Sequence, residues 1–289
     1  MTRVVALGGG HGLAATLAAV RRYADDISAV VSVADDGGSS GRLRDAFGIP
    51  PPGDLRKCLV ALARRDSPWT AAFEHRFGAG DLEGHAFGNL VIAGLADATG
   101  DFTLALAEAG RLLGAAGRVL PATSEPVVLK GATGDGLGSV SGQVAVARAG
   151  RIAGVSLVPA DAAPPPDVLE VVAAADQVVI GPGSLFTSVL AVVAVPAIRE
   201  ALATTAGRKI YVCNLREQPP ETSGYDVAAH VDALRAHGLE VDVVLHHRGA
   251  LPVGRTGVPC VERPVALAGA AVHDPELLAV ALKELVPPA

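Results

Sequence analysis

Residues 4–15 read Val-Val-Ala-Leu-Gly-Gly-Gly-His-Gly-Leu-Ala-Ala. The four leading apolar residues make a run short enough for a strand and apolar enough to be covered on both faces. Gly8, Gly9, Gly10 and Gly12 let the backbone turn sharply, and an amphipathic stretch follows over 13–22. The spacing Gly10-x-Gly12-x-x-Ala15 is that of a first strand-to-helix turn, where helix N–H groups face an anion. Outward from this unit, Val- and Ile-rich runs recur at 27–33, 178–180, 210–212 and 241–245. Amphipathic segments at 167–175, 184–205, 225–237 and 275–285 alternate with them. Buried strands alternating with helices predict an α/β chain, with a mostly parallel sheet covered by helices.

Two parts depart from that alternation. Residues from about 54 to 114 read as a helical insertion between the second and third runs. Residues from about 126 to 158 read as a β-hairpin or small subdomain. Its expected strands are 127–130, 143–148 and 152–158, with a glycine-rich turn over 131–142. No flexible linker and no internal repeat interrupts the chain, so 1–289 is expected to be a single domain.

Half of the 289 residues are hydrophobic but only 3% are aromatic, so the core must be built from Val, Leu, Ile and Ala. A formal net charge of −6 argues against a nucleic-acid partner, because no broad basic face is available to neutralise successive phosphates. Cys58, Cys213 and Cys260 are far apart, match no zinc spacing and read as core thiols of a reducing compartment. The longest apolar stretch, 189–198, is too short to span a bilayer, and the first residues lack a charged region followed by an apolar one. A cytoplasmic protein without membrane insertion is expected.

The second run leads into Ala34-Asp35-Asp36-Gly37-Gly38-Ser39-Ser40-Gly41-Arg42-Leu43-Arg44, and then Pro51-Pro52-Gly53-Asp54-Leu55-Arg56. Backbone N–H groups around Gly38, the Ser39 and Ser40 hydroxyls and the Arg44 guanidinium together suit a phosphate. Asp35 or Asp36 is placed to meet a ribose hydroxyl, or a magnesium ion shared with ligand phosphates. The plainer alternative is a turn whose Asp and Ser cap the next helix. Gly181-Pro182-Gly183-Ser184 repeats the theme after the third run, and two such turns at strand ends would face one crevice. In Gly84-His85-Ala86-Phe87-Gly88-Asn89, His85 is a candidate acid/base or phosphate partner and Asn89 a polar anchor. Asn214 ends the fourth run, and with Glu221 it is a candidate for reading a base or sugar. No nucleophile–base pair, nucleophile elbow or metal-binding motif stands out, so the sequence shows a site without naming a reaction.

Gly8-Gly9-Gly10-x-Gly12-Leu13, the Asp35-to-Arg44 block, Pro51-Pro52-Gly53-Asp54-Leu55-Arg56, Gly84-His85-x-x-Gly88-Asn89-Leu90 and Gly181-Pro182-Gly183-Ser184-Leu185-x-Thr187-Ser188 together resemble the gluconeogenesis factor (YvcK) family. Its relative is 2-phospho-L-lactate transferase (CofD). The resemblance runs from about residue 3 to about 247 and implies a three-layer, modified Rossmann-like fold, often dimeric. In the first branch it implies UDP-sugar binding, with support of cell shape and of growth on gluconeogenic carbon sources. In the second it implies a magnesium-dependent enzyme that moves phospholactyl from a nucleotide-activated donor onto a deazaflavin alcohol. The blocks at 35–44 and 51–56 resemble the first branch more closely. This chain departs from the common pattern at His11, Lys57 and Gln143, which stand where threonine, asparagine and glutamate are frequent.

On this resemblance Gly9, Gly10, His11 and Gly12 cradle a diphosphate, with Ser39, Gly183 and Ser184 closing over it. Asp54 and Lys57 bear on the same contacts. The leading expectation is a cytoplasmic UDP-sugar-binding regulator that acts without catalysis, through partners the sequence does not name. The rival is a phospholactyl-type transferase in which Asp36 orients magnesium and the acceptor hydroxyl. An NAD-dependent oxidoreductase is the third reading, raised by the first turn alone.

Overall fold

The valine-rich runs become strands because β-branched side chains pack well on a pleated surface covered from both sides. The computed structural model describes residues 1–134 and 138–287. In chain order its strands are β1 (Arg3–Gly8), β2 (Asp26–Val31), β3 (Arg118–Pro121), β4 (Val128–Thr133), β5 (Ser139–Ser141), β6 (Ile152–Val158), β7 (Gln177–Ile180), β8 (Arg208–Val212), β9 (Val243–His246) and β10 (Cys260–Glu262). Seven of them form one sheet in the order β10-β9-β8-β7-β1-β2-β3. Every neighbouring pair in that sheet is parallel. The chain builds outward from β1 through β2 to β3, then crosses to the other side of β1 and builds outward again from β7. The strand order therefore reverses between β1 and β7, where Leu7 pairs with Ile180.

Right-handed crossovers moving in opposite directions place their helices on opposite faces of the sheet. Gly10–Val20 packs with Gly53–Leu62 and Pro275–Lys283, while Pro166–Ala174 packs with Pro196–Thr204. Leu13, Leu17, Leu55, Leu59, Leu278 and Leu282 are almost wholly buried in the core cluster. The expected insertion is helical, with Gly53–Leu62, Pro68–Glu74, Phe87–Thr99 and Phe102–Leu113 following one another before β3. Cys58 and Cys213 are buried, Cys260 is half-buried, and all three are free thiols. Among the described residues no single helix is long and apolar enough to cross a membrane.

Three expectations are corrected. Residues 143–148 form no strand: Gln143–Ala149 is a helix. The alternation Gln-Val-Ala-Val-Ala-Arg is overridden by the chain before it. Gly142 turns at φ +98°, and the Asp36 carboxylate accepts the Val144 N–H at 3.0 Å, capping a new helix start. The antiparallel partners of β4 are instead β5 and β6, in the order β5-β4-β6. Of the predicted turn, residues 135–137 lie outside the described residues. The single helix expected over 184–205 is broken into a π-helical Leu185–Val189, Leu190–Val193 and Pro196–Thr204. Pro196 has no N–H with which to continue the preceding ladder and starts its own helix. The edge strands β3 and β10, four and three residues long, were not anticipated from the runs.

Candidate functional site

In open α/β sheets the crevice at a reversal of strand order, outside the carboxyl ends of the strands, is where ligands bind. Here a cleft of about 520 Å³ opens at that point, beyond β1, β7 and β8. His11 and Gly12 line it from the first glycine turn, Pro182 and Gly183 from the second, and Asn214 and Gln218 from the loop after β8. The two expected turns are thus brought together. Gly10 takes φ +63° and Gly181 φ +72°, conformations that favour glycine. The Thr16 hydroxyl donates to the Gly181 carbonyl at 2.9 Å, and the Gly181 N–H donates to the Leu7 carbonyl at 2.9 Å, tying one turn to the other.

Asn214 fixes the second turn. Its Oδ1 accepts the Gly183 N–H at 3.1 Å, while its Nδ2 donates to the Gly183 carbonyl at 2.9 Å and to Gln218 Oε1 at 3.1 Å. Both ends of the amide are committed to the scaffold. Glu221, also expected to meet the ligand, is buried behind the turn. Its Oε1 accepts the N–H groups of Phe186 at 2.9 Å and Thr187 at 3.0 Å, and it is hydrogen-bonded to Ser184 as well. These bonds satisfy the free donors at the start of Leu185–Val189. Burial pushes the Glu221 carboxyl above its ordinary range, against the pull of those N–H groups.

On the β2 side of the first turn the charged groups gather. A Cβ on Gly9 would stand 2.7 Å from Asp54 Oδ2, so that carboxylate lies directly against the turn. Lys57 pairs with Asp54 Oδ1 at 2.9 Å. The Lys57 ammonium, followed by partial burial, holds the exposed His11 imidazole below its ordinary pKa, with Asp54 opposing. Asp35 is raised, chiefly by burial and further by Asp54, while the Gly37 N–H and the Ser40 hydroxyl pull it down. This cluster of two aspartates, a lysine and an imidazole sets the local charge beside the first turn.

The remaining expected residues divide. Ser39, His85 and Asn89 meet in a buried network: Asn89 Nδ2 donates to Ser39 Oγ at 3.1 Å, and that hydroxyl lies 3.0 Å from His85 Nδ1. Arg56 Nε donates to Asn89 Oδ1 at 3.1 Å. The Ser39 hydroxyl thus bridges the Asn89 amide and the His85 imidazole. Burial, then Arg42 and Arg76, lowers the His85 pKa. Asp36 is engaged with the Gln143–Ala149 helix through the Val144 N–H. Arg44 pairs with its neighbour Asp45 at 3.3 Å, and Gly38 has open space around it. Neither lines the cleft. Among the described residues no group of three or more His, Cys, Asp or Glu side chains is arranged to hold a metal ion.

Sequence reasoning passed over one wall of the cleft. Ala271, Val272 and His273 close it from a segment that returns after β10, and Arg216 and Glu217 stand beside them. No local spacing marks those positions. What brings them in is long-range: the Val265 N–H donates to His247 Nδ1 at 3.1 Å, and the Asp274 N–H donates to the Val265 carbonyl at 2.9 Å.

Comparison with known proteins supplies the family. The family described as 2-phospho-L-lactate transferase CofD matches residues 4–256. A gluconeogenesis factor from Halalkalibacterium halodurans is 44% identical over 248 residues, which cover 84% of this chain and 77% of that protein. One from Bacillus subtilis is 44% identical over 237 residues, covering 81% and 74%. A crystal structure of a UPF0052 family member from Bacillus halodurans shares the fold with a TM-score of 0.92 and 37% identity, covering 98% of each chain.

Proposed function

This chain belongs to the CofD/UPF0052 family, and from that premise we propose that it is a gluconeogenesis factor whose cleft binds a nucleotide-sugar, with a UDP-sugar as the ligand. The observation that carries the reading is the cleft between two glycine turns at the reversal of strand order. The first turn presents N–H groups at a helix start, the exposed His11 imidazole stands beside them, and this end suits a diphosphate. Gln218 and the 215–219 loop, which line the same cleft, suit the base or sugar. Binding is the function, and it is read by partner proteins in the cytoplasm that govern cell shape and growth on gluconeogenic carbon. A homodimer is part of this proposal.

A phospholactyl-type transferase is the second reading, favoured by the family description and by Asp35, Asp54 and Lys57 beside the phosphate end. Such transfer depends on positioning and charge neutralisation more than on a nucleophile. Magnesium would be held by one of those carboxylates together with ligand phosphates, and would supply that neutralisation. The cleft wall argues for the first reading. A deazaflavin ring needs a wide apolar slot, and among the described residues no Phe, Tyr or Trp lines this cleft.

A thermal-shift panel with UDP-N-acetylglucosamine, UDP-glucose, UDP, GDP, NAD and a deazaflavin alcohol, each with and without magnesium, tests the proposal. Ligand at a hundred times its Kd stabilises by about 2.7 kcal/mol, so the midpoint should rise by several degrees with UDP-sugars. The rise should vanish in Gly10→Val, where a branched side chain is forced to positive φ beside Asp54. A rise with the deazaflavin alcohol or GDP alone would replace the regulator with the transferase.

A further inference from the structure

β6 is an edge of the small sheet, whose order is β5-β4-β6. Along an antiparallel pair, residues alternate between those whose N–H and carbonyl face the partner strand and those whose groups face away. Leu129 on β4 turns its carbonyl away from β6, accepting the Gly142 N–H at 2.8 Å. Leu157, which stands opposite it, and Val155 in the same phase therefore direct their own groups to the open side. The Val155 N–H bears this out: it donates to His237 Nε2 at 2.9 Å, while His237 Nδ1 donates to the Ala233 carbonyl at 2.7 Å. Beyond β6, Pro159 has no N–H to offer. The edge is thus open over a short window, with the Leu157 N–H between the Val155 and Leu157 carbonyls. A hollow of about 480 Å³ lies along it, lined by residues 155–157, by Ala194, Pro196 and Arg199, and by His237. Arg199 is half-buried, and its stem lies where a Cβ on Gly238 would stand 3.0 Å from Arg199 Cδ. Among the described residues no carboxylate pairs with this guanidinium, no carbonyl accepts from it, and no acidic side chain lines the hollow.

We propose that this hollow docks the extended C-terminus of a partner protein, which adds to β6 as a short strand and sets its terminal carboxylate on Arg199. An unpaired strand edge accepts a further strand through backbone bonds. Here the Leu157 N–H donates to a peptide carbonyl, and the flanking carbonyls accept peptide N–H groups. His237 stops the pairing at one end and Pro159 at the other, so strand pairing alone gives an internal segment little hold. A chain end adds what that window lacks: a carboxylate, whose complement is a free guanidinium in a hollow without acidic side chains. Ala160, Ala194 and Pro196 give the rest of the wall a small, apolar surface for the side chains of the added strand. None of these residues lines the cleft between the glycine turns, so the site is separate from the nucleotide site.

The test screens the full chain against an array of random heptapeptides with free C-terminal carboxylates. The strongest binder is then made as the acid, as the C-terminal amide, and as a form extended by Gly-Gly, and each is titrated by fluorescence anisotropy. The amide and the extended form should bind at least about tenfold more weakly than the acid. Arg199→Gln should bring the acid down to the level of the amide. Saturating acid peptide should slow amide exchange at Leu157. Absence of any binder on the array overturns the proposal, as does equal binding of acid, amide and extended form. Protection at 181–189 in place of Leu157 also overturns it, by moving the peptide to the glycine turns. The comparison of acid with amide uses the unsubstituted protein, so it decides even where Arg199→Gln fails to fold. None of these outcomes bears on nucleotide binding, which the thermal-shift panel tests by itself.

Discussion

At Gly12 a Cβ would stand 2.7 Å from the Pro182 carbonyl carbon and 3.1 Å from Gly183 Cα. Both obstacles are backbone, which cannot swing aside as a side chain can. Gly12→Ala should therefore push the two turns apart, at a cost of about 1–3 kcal/mol, and remove the ligand-induced thermal shift. Gly38 makes the contrast. It holds φ +50° with nothing within 4 Å of a Cβ, so Gly38→Ala should cost only the left-handed conformation, about 1–2 kcal/mol, and keep the ligand shift. Urea midpoints with and without UDP separate the two, and equal loss of binding in both would refute the close-approach argument. Gly12 was legible because a glycine repeat names its own reason. His273 was not: a lone histidine ahead of a helix carries no spacing signal, and only tertiary bonds deliver it to the cleft. Its pKa of about 4 against an ordinary 6.5 also has a thermodynamic sign. The neutral ring is favoured in the folded state, so its contribution is present above pH 6.5 and is lost as pH falls toward 4. Between those limits the wild type should lose about 3 kcal/mol relative to His273→Phe. Parallel urea midpoints for the two proteins across that window would show burial has no such effect.

Segments were read with less success than turns, because a period-two pattern and a short helix can share one sequence. The stretch at 143–148 spaces its valines two apart, yet Asp36, from a distant loop, caps it as a helix. Asp36→Ala should cost about 1 kcal/mol and speed amide exchange over Gln143–Ala149; unchanged exchange there would mean the helix does not need that cap. Glu221 plays the same part for the π-helical start of Leu185–Val189, accepting two buried N–H groups. Leaving both donors unpaired in Glu221→Ala should cost about 2–4 kcal/mol, whereas Glu221→Gln keeps an acceptor oxygen and should lose less than half as much. The carboxyl is raised in the folded state, so its contribution is full below its ordinary pKa of 4.5 and is lost as pH rises through the folded value. The stability gap between wild type and Glu221→Gln should consequently narrow between pH 4.5 and neutrality, as urea midpoints would report. A constant gap would place the charge elsewhere. The Asp-, Gly- and Ser-rich block pointed to ligand contact at Asp36 and Ser39, and the polar loop after the fourth run did so for Asn214 and Glu221. In the fold those same hydrogen-bonding abilities are spent largely on holding the turns in place.

Across the molecule, the parallel sheet was readable from its apolar runs, and the position of the cleft follows from where the strand order reverses. The edges were harder to see, since β3 and β10 have four and three residues and pair on one side only. The sheet has two ends, and both carry concavities. At the carboxyl end lies the cleft of about 520 Å³ with its glycine turns. At the amino end a smaller hollow of about 200 Å³ lies between Arg3, Asp26, Ser28 and Arg118, where Arg3 is already paired with Asp176 at 2.8 Å. A phosphate needs unpaired donors, and an arginine committed to a carboxylate supplies fewer of them. The carboxyl end also offers the helix start that begins at Gly10, whereas strand starts offer no comparable array of N–H groups. Amide exchange measured with and without saturating UDP should therefore show slowing over 8–13, 181–189 and 214–218, together with the 271–274 segment that walls the cleft. Residues 3–5, 26–28 and 118–119 at the opposite end should exchange at unchanged rates. The fold makes this sharp, because one strand such as β1 or β2 runs from one end to the other and serves as its own control. Protection concentrated at the amino ends would move the ligand to the smaller hollow and detach the glycine turns from binding. Protection spread evenly along every strand would point to a general stabilisation, in which the ligand only samples the folded state and the reversal of strand order has no bearing on where it sits.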